Sequence, residues 1–208
     1  YPVEQVATPE GYARNPELVI NFYNERRKQL LDVVPNAGHL GVADLERDFN
    51  VTVVTQNVDN LHERAGSTHV IHLHGELTKV CSSRDPYNPH FVKELAPEEY
   101  EVKLGDKAGN GTQLRPFIVW FGESVPEIET AIRYVEQADI FVIIGTSLNV
   151  YPAAGLLNYV PRAAEVYLID PKPVDTHVMR PIHVIQKGAS EGVKELKALL
   201  AATQPPLL

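Results

Sequence analysis

The sequence contains little sulfur: Cys81 is the only cysteine among 208 residues, and there is a single methionine. A lone cysteine forms no intramolecular disulfide and cannot build a cysteine-based zinc site, so a reducing compartment is expected. Long apolar runs of the kind that span membranes or form signal peptides are also lacking. We therefore expect a cytoplasmic protein that has no membrane partner.

Basic residues are in the minority, with 19 Lys and Arg against 27 Asp and Glu and a formal net charge of -8. Nucleic acids and acidic membrane surfaces select clustered Lys and Arg, so we expect neither as a partner. The composition is otherwise that of an ordinary globular protein, with 44% hydrophobic and 22% charged residues. Such a chain is long enough for one sizeable core and a small appended module.

Apolar runs that are typical of buried strands alternate with segments of helical period. The predicted strands are 51–57, 116–123, 139–147 and 164–170, and the predicted helices are 16–33, 37–49, 126–138 and 190–202, with Asn36 and Ser190 as helix caps. This alternation predicts an α/β fold with a doubly wound, Rossmann-like parallel sheet. Residues 79–115 are rich in Pro, Gly, Asn and charge and predict a small inserted module, while 1–78 and 116–208 form the main domain.

Polar residues follow two of the predicted strands, where open α/β sheets bind ligands. Gln56, Asn57 and Asp59 come after the first strand. The Asn57 and Asp59 pair is consistent either with holding a carboxamide or with capping the helix that "NLHERAG" suggests. The turn 145–147 (Gly, Thr, Ser) is consistent either with phosphate or ribose contact through backbone N–H groups or with a plain tight turn.

His72 and His74 lie two residues apart in "VIHLHG" and would share one face of an extended segment. One hypothesis is a metal site, although His69 would point to the opposite face and no cysteine pair assists. A second hypothesis makes His74 a general base, with Gly75 beside it leaving room for substrate backbone. A histidine that is merely packed in the core is the third interpretation.

Tyr23 and Arg26 are three residues apart on one predicted helix and would project from the same face. A phenol and a guanidinium that converge would suit a carboxylate. The competing interpretation is a solvated helix face, which the neighbouring charges of Arg27 and Lys28 favour.

Five separated motifs occur in the order seen in the sirtuins, and the sequence resembles that family from about Val6 to its C-terminal helix. The motifs are "TQNVDNLHERAG", "HLHGEL", "VWFGE", "GTSLNVYPAAG" and "QKGAS", and the segment 7–27 is most similar to short bacterial sirtuins. The resemblance implies an NAD-dependent protein-lysine deacylase, with acylated lysine side chains as substrates and nicotinamide and 2'-O-acyl-ADP-ribose as products. Residues 1–78 and 116–208 would be the NAD-binding domain, with the helical part of the small module at about 7–36.

The resemblance also implies roles for individual residues. His74 would be the general base that draws a proton from a ribose hydroxyl, Asn57 and Asp59 would hold the nicotinamide carboxamide, and Gln56 would lie near the ribose. The remaining NAD contacts would be Gly145, Thr146, Ser147, Asn149, Gly188 and Ala189. The acylated peptide would contact Val119, Phe121, Gly122, Glu123 and Val150, with the Val119 carbonyl accepting from the acyl-lysine amide. Tyr23 and Arg26 match the pair that marks sirtuins acting on succinyl-, malonyl- or glutaryl-lysine, which predicts desuccinylase and demalonylase activity beside deacetylase activity.

Three features depart from the family pattern. The sequence begins at Tyr1, after the first strand and the Gly-Ala-Gly phosphate loop of sirtuins, and a polypeptide that began here would bind NAD poorly and be less stable. The family's zinc module uses four cysteines where this sequence has Cys81 alone, so we predict no zinc. In "YLIDP", Asp170 is consistent either with a ribose contact or with capping the turn before Pro171.

Two other functions stay open at this point. One is mono-ADP-ribosyl transfer from the same NAD site to a protein nucleophile. The other is a non-catalytic module that binds ADP-ribose or an acyl-peptide, should the N-terminal phosphate loop be absent from the protein.

Overall fold

The structure is a computed structural model that describes residues 1–146, 153–173 and 180–203. The chain divides into two compact units. The first unit comprises Tyr1–Val34, Val54–Asn60 and His72–Glu127, and the second comprises Pro35–Val53, Leu61–Ile71 and Ile128–Leu208.

The helices and strands of the described residues follow in chain order. The α-helices are α1 (Val3–Val6), α2 (Pro9–Arg14), α3 (Pro16–Leu30), α4 (Ala37–Asp44), α5 (Leu61–Arg64), α6 (Ile128–Val135) and α7 (Ala189–Thr203). The strands are β1 (Val53–Thr55), β2 (Val70–His72), β3 (Gly75–Ser82), β4 (Lys93–Glu94), β5 (Leu114–Ile118), β6 (Ile140–Ile144), β7 (Glu165–Ile169) and β8 (His183–Ile185). Short 3-10 helices cover Leu45–Arg47, Pro89–Phe91, Pro97–Glu99 and Ala153–Tyr159.

The second unit contains the predicted parallel sheet, in the order β6-β7-β8. Ile140 pairs with Glu165, and Tyr167 pairs with His183, so all three strands run in the same direction. Helix α7 approaches β7 closely, because a Cβ at Gly192 would come within 2.2 Å of an Ile169 methyl carbon. The core between them is apolar and consists of Val42, Tyr167, Ile169, Ile185, Val193, Leu196 and Leu200. The α/β prediction with parallel strands is confirmed.

In the first unit, the strand expected at 116–123 differs from the prediction. It is β5, which ends at Ile118 and runs antiparallel to β3, with Gly75 opposite Ile118 and Cys81 opposite Arg115. Its apolar run continues past Ile118, but residues 119–123 leave the strand and form a turn in which Gly122 has a φ of 91°. An apolar run alone does not distinguish a parallel from an antiparallel strand.

Helix ends follow the sequence at one cap and depart from it at another. Asn36 caps α4 as predicted: its side-chain oxygen accepts from His39 N, and the His39 imidazole accepts from Asn36 N, both at 3.0 Å. Ser190 is not the cap of the last helix, because α7 already begins at Ala189. Helix α3 begins at Pro16 as expected and ends at Leu30, three residues earlier than predicted.

Across the described ranges, every helix is too short or too polar to cross a lipid bilayer.

Candidate active site

The loop that follows β1 is held by backbone hydrogen bonds within the first unit. Asn57 N donates to the Thr55 hydroxyl at 3.0 Å, and Leu77 N donates to the Val58 carbonyl at 2.8 Å. The Nδ1 atom of buried His72 lies 3.1 Å from the Asn57 carbonyl oxygen. These bonds fix the main chain at 55–58 and leave the Asn57 side chain exposed.

Asn60 supplies an open hydrogen-bond acceptor in the same loop. Its side-chain oxygen is buried, and no group in the described part of the chain donates to it. Buried polar atoms are nearly always paired in folded proteins, and the unpaired amide oxygen of Asn60, which directly precedes α5, can accept from an N–H or O–H donor of a ligand. The amide and ribose groups of NAD carry such donors, and this loop therefore fits the predicted cofactor.

His74 lies in the turn between β2 and β3, where its backbone carbonyl is hydrogen-bonded. Val119 N donates to the His74 carbonyl at 2.9 Å. The next residue, Gly75, has a φ of 88°, and a Cβ there would lie 2.1 Å from the Phe117 carbonyl oxygen. The imidazole is half-buried, and none of the described residues forms a hydrogen bond with it. Its ring nitrogens are therefore open to a hydrogen bond with a ligand.

The expectation that His72 and His74 share one face of a strand is wrong. Strand β2 ends at His72, and Leu73 and His74 form the turn that leads into β3. The buried His72 ring contacts the Asn57 carbonyl, and its other nitrogen lies 3.9 Å from a Glu76 carboxylate oxygen. His74 therefore lies outside the strand, and the shared strand face on which the metal hypothesis depended is not formed.

The turn 119–123 is held by an ion pair between Arg115 and Glu123. The Arg115 guanidinium donates to both Glu123 carboxylate oxygens, at 3.0 and 3.1 Å, and to the Ile118 carbonyl at 2.7 Å. Tyr87 OH and Trp120 N each donate to Glu123 Oε1 at 2.9 Å. The Glu123 side chain, predicted to contact the peptide, is therefore engaged within the protein and stabilises the shape of this turn.

The ionisation of this pair follows from its surroundings. Burial, the largest influence on Glu123, disfavours its charge, but the hydrogen bonds from Arg115, Trp120 N and Tyr87 outweigh burial and lower the pKa of Glu123. Burial likewise opposes the charge of Arg115, and the Glu123 carboxylate outweighs it and raises the pKa of Arg115. Burial first, and then the neighbouring Glu123 carboxylate, raises the pKa of Tyr87. At neutral pH the arginine and glutamate are charged, and the phenol is a donor.

Tyr23 and Arg26 differ in their exposure on α3. Tyr23 is 6% exposed and its hydroxyl accepts a 3.1 Å hydrogen bond from the indole nitrogen of Trp120, so it is not part of a solvated face. Arg26 is exposed, and its guanidinium carbon lies 5.7 Å from the ring centre of Phe22. Arg26 is also near enough to Tyr23 to favour its phenolate electrostatically.

Arg27, whose charge had favoured a solvated face for this helix, is buried. Its guanidinium donates to the Tyr100 carbonyl at 2.8 Å and to the Asn24 side-chain oxygen at 2.6 Å. Asn24 in turn exchanges two hydrogen bonds with the backbone of Val102, at 2.7 and 2.9 Å. Burial lowers the pKa of Arg27 to about 10, so the group stays charged at neutral pH. Arg27 therefore ties α3 to the inserted segment.

The other predicted NAD contacts belong to the second unit. Gly145 follows β6 with a φ of 68°, and its N–H donates to the Ile169 carbonyl at 3.1 Å; Thr146 is half-buried. Gly188 precedes α7, whose first residue is Ala189. No described atom lies within 4 Å of a Cβ placed at Gly145 or Gly188, so both backbones are open to a ligand. Ser147, Asn149 and Val150 lie outside the described residues.

Asp170 caps the turn that follows β7. Its side-chain oxygen accepts a 2.8 Å hydrogen bond from Lys172 N. This is the capping role that the sequence had left open beside a ribose contact.

The inserted segment does not fit the zinc site of the family. Cys81 is fully buried, its thiol contacts the Pro116 carbonyl at 3.7 Å, and burial raises the pKa of Cys81 to about 12. One protonated thiol is not a tetrahedral set of ligands. Hydrogen bonds organise the neighbouring loops instead, since the Ser82 hydroxyl contacts the Thr112 hydroxyl and accepts from the Asn110 amide, both at 2.8 Å. The absence of zinc stays a prediction for metal analysis.

The sequence analysis did not single out three residues that shape this region: Arg115, Tyr87 and Trp120. Arg115 had been placed at the edge of an irregular segment. A charged residue directly before an apolar strand was the one available signal, since a buried cation needs a partner. Nothing in the spacing pairs Arg115 with Glu123 or Trp120 with Tyr23.

Comparisons with known proteins agree on one family. The model of the Sir2 family matches residues 1–152. An NAD-dependent protein deacylase of Bacteroides thetaiotaomicron is 83% identical over 200 residues, which cover 96% of this chain and 86% of that protein. The protein of the same name from Helicobacter pylori is 46% identical over 194 residues, covering 93% and 82%. A solved complex of a Sir2 homologue with NAD superposes with a TM-score of 0.81 at 35% identity, covering 98% of this chain and 80% of the other.

Proposed function

This chain belongs to the Sir2 family and is an NAD-dependent protein deacylase, and we propose that it acts on acylated lysine side chains, with His74 as its general base. The observation that carries the proposal is the His74 turn. The Val119 N–H holds its backbone, and its imidazole is left unpaired among the described residues.

NAD, when bound, supplies a ribose that accepts the acyl group and nicotinamide as the leaving group. The chain's own residues bind, orient and move one proton. Asn57 and Asp59 hold the carboxamide, with Gln56 beside the ribose, and the buried oxygen of Asn60 adds an acceptor to the same loop. The His74 imidazole takes up a proton from a ribose hydroxyl, which makes that oxygen a better nucleophile.

The remaining predicted contacts belong to this proposal as well. The backbone groups of Gly145, Thr146, Ser147, Asn149, Gly188 and Ala189 would contact NAD. The peptide would lie along Val119, Phe121, Gly122, Glu123 and Val150, with Glu123 contributing its backbone; Phe121 is 68% exposed and therefore accessible to a partner. Residues 1–78 and 116–208 would be the NAD-binding domain and 79–115 the inserted module.

Tyr23 and Arg26 would bind an acyl chain that ends in a carboxylate, such as succinyl or malonyl. Arg26 is an exposed cation, and its positive charge acts on the Tyr23 phenol by favouring the phenolate. Burial raises the pKa of Tyr23, so the phenol stays protonated and able to donate. A guanidinium and a phenol donor together match the acceptors of a carboxylate.

The test of the general base is turnover of acetyl-, malonyl- and succinyl-lysine peptides with NAD by the protein and by His74→Ala. Loss of general base catalysis is expected to lower kcat by about 100-fold to 10,000-fold. His90→Ala is the matched control, because His90 is an exposed histidine in a 3-10 helix of the inserted segment. Equal turnover by His74→Ala and His90→Ala, with both folded by circular dichroism, would refute the assignment.

Mass spectrometry of the products separates the candidate functions. Acyl-ADP-ribose supports deacylation, and ADP-ribosylated protein supports mono-ADP-ribosyl transfer. If no nicotinamide is released but the protein still binds ADP-ribose or acyl-peptide, a binding module is supported.

Acyl preference is tested with Arg26→Ala against Lys28→Ala, a neighbouring exposed cation on the same helix. Losing charge-assisted hydrogen bonds to a carboxylate is expected to reduce kcat/KM for succinyl-peptide by about 10-fold to 100-fold. The acetyl-peptide, which has no carboxylate, should change much less. A parallel fall for both peptides in Arg26→Ala would contradict the carboxylate site.

A further inference from the structure

Trp120 forms a contact that the proposed chemistry does not yet use. Its indole N–H donates to the Tyr23 hydroxyl oxygen at 3.1 Å, across 97 residues of sequence. Trp120 is 2% exposed and Tyr23 is 6% exposed, so the bond is shielded from water. An indole N–H is a donor only, and the Tyr23 oxygen must therefore be the acceptor in this bond.

This direction determines what the Tyr23 hydroxyl can do next. With Trp120 donating to its oxygen, the Tyr23 proton must point to another acceptor, and none of the described residues accepts it. A buried hydroxyl proton without an acceptor is rare in folded proteins. Burial raises the pKa of Tyr23, so the proton is not lost to solution at neutral pH.

The indole is itself held in place, which keeps its N–H directed at Tyr23. The Arg115 guanidinium carbon lies 3.8 Å from the Trp120 ring centre, and the Tyr12 ring centre lies 5.3 Å away. The Trp120 backbone N–H donates to Glu123 at 2.9 Å. Rotation of the indole away from Tyr23 would break both ring contacts, and the backbone hydrogen bond fixes the main chain from which the indole extends.

We propose that Trp120 is a positioning residue for acyl specificity, whose indole N–H orients the Tyr23 hydroxyl as a donor toward an acyl chain ending in a hydrogen-bond acceptor. The inference rests on the proposed carboxylate site of Tyr23 and Arg26. Without the indole N–H, the Tyr23 hydroxyl is free to turn, and a buried phenol loses its fixed direction. Acceptors such as carboxylates then lose their advantage over methyl-terminated acyl chains.

The test replaces Trp120 with 3-benzothienylalanine, in which sulfur takes the place of the indole N–H and the ring shape is kept. Trp120 is the only tryptophan in this sequence, so tryptophan replacement reaches a single site here. We expect KM for succinyl-lysine peptide to rise about tenfold, with a much smaller change for acetyl-lysine peptide and little change in either kcat. The circular dichroism spectrum should match that of the unmodified protein, and the melting temperature should fall by only about 2–6 °C, as expected for one lost hydrogen bond. Trp120→Phe, which also lacks the N–H, should shift the ratio of the two KM values in the same direction.

Two further variants separate a positioning role from a structural one. In a Tyr23→Phe background, the benzothienyl replacement should cause no additional rise in KM, because its effect acts through the Tyr23 hydroxyl. Tyr12→Phe is the matched control, since it removes a phenol hydroxyl from the other tyrosine packed on the same indole, and that hydroxyl contacts Ser83 instead. Tyr12→Phe should leave the ratio of the two KM values unchanged.

The outcomes distinguish this inference from the function on which it rests. If Tyr23→Phe and Arg26→Ala both weaken succinyl turnover selectively but the benzothienyl protein does not, the role of Trp120 is refuted while the carboxylate site stands. An effect of the benzothienyl group that persists in Tyr23→Phe also refutes it. If none of the three changes is selective, both proposals fail together, because Trp120 then has no carboxylate site to serve.

Discussion

Replacing Gly75 with alanine should destabilise the protein more than the same change at Gly122, and the comparison isolates one close contact. Both glycines have a positive φ, 88° at Gly75 and 91° at Gly122. That conformation alone costs an alanine about 1–2 kcal/mol. At Gly75 the new methyl would also lie 2.1 Å from the Phe117 carbonyl oxygen and 3.0 Å from the Ile118 Cα, whereas at Gly122 it would meet open space.

The steric contribution at Gly75 can be estimated from the displacement it requires. The Phe117 oxygen belongs to strand β5, so the oxygen and the strand must move together by roughly 1 Å to make room for the methyl. Overpacking of this kind costs about 1–3 kcal/mol of stability. The free energy of unfolding should therefore fall by about 2–5 kcal/mol in Gly75→Ala and by about 1–2 kcal/mol in Gly122→Ala. The assay is urea denaturation of both variants and the unmodified protein at pH 7. In a chain of this size each kcal/mol lowers the melting temperature by about 2–4 °C.

Activity offers a second measurement on the same variants. Gly75 follows His74, so a displaced Gly75–Ile118 pairing also displaces the proposed base. Gly75→Ala should lose turnover even at temperatures where it is folded. Equal stability losses in the two variants would refute the close approach of β3 to the Phe117 carbonyl.

Three further predictions concern the ion pair, the thiol and a helix cap. Glu123→Gln leaves the Arg115 charge buried and uncompensated and should reduce the free energy of unfolding by about 3–5 kcal/mol near neutral pH. Folding lowers the pKa of Glu123, so the stabilisation by its carboxylate is complete above the ordinary value of 4.5 and is lost as the pH falls through the lower folded value. The difference in unfolding free energy between Glu123→Gln and the unmodified protein should therefore narrow below pH 4.5. A difference that stays constant down to about pH 3 would count against the ion pair. Cys81 should resist Ellman's reagent at pH 8 in the native protein and react as one thiol after denaturation, because it is fully buried and its pKa is raised to about 12; rapid native labelling would contradict its burial. Asn36→Ala removes the side-chain oxygen that accepts from His39 N and should lower the free energy of unfolding by about 1 kcal/mol, whereas Asn36→Ser should retain most of it; equal losses in a thermal melt would argue against the cap.

Local patterns were sufficient for the elements whose cause is local. The runs 139–147 and 164–170 predicted parallel strands, and β6 and β7 form there, because a strand buried on both faces must be apolar at successive positions. Asn36 was identified as a cap because its partner is only three residues away. The end of β5 was misjudged for the complementary reason: its apolar run continues beyond Ile118, and the turn that ends the strand depends on Glu123 bonding to Arg115 and to Trp120 N.

By itself, the amino-acid sequence determined the parallel α/β sheet, the polar strand ends and the family resemblance, since these follow from residue order and periodicity. Only the tertiary structure decided that Arg27 is buried, that His72 ends a strand while His74 lies in the turn after it, and that Trp120 donates to Tyr23. The physical reason is that the role of a polar group depends on its partner. Those partners come from segments far apart in the chain, and the periodicity of the sequence does not indicate which donor will meet which acceptor.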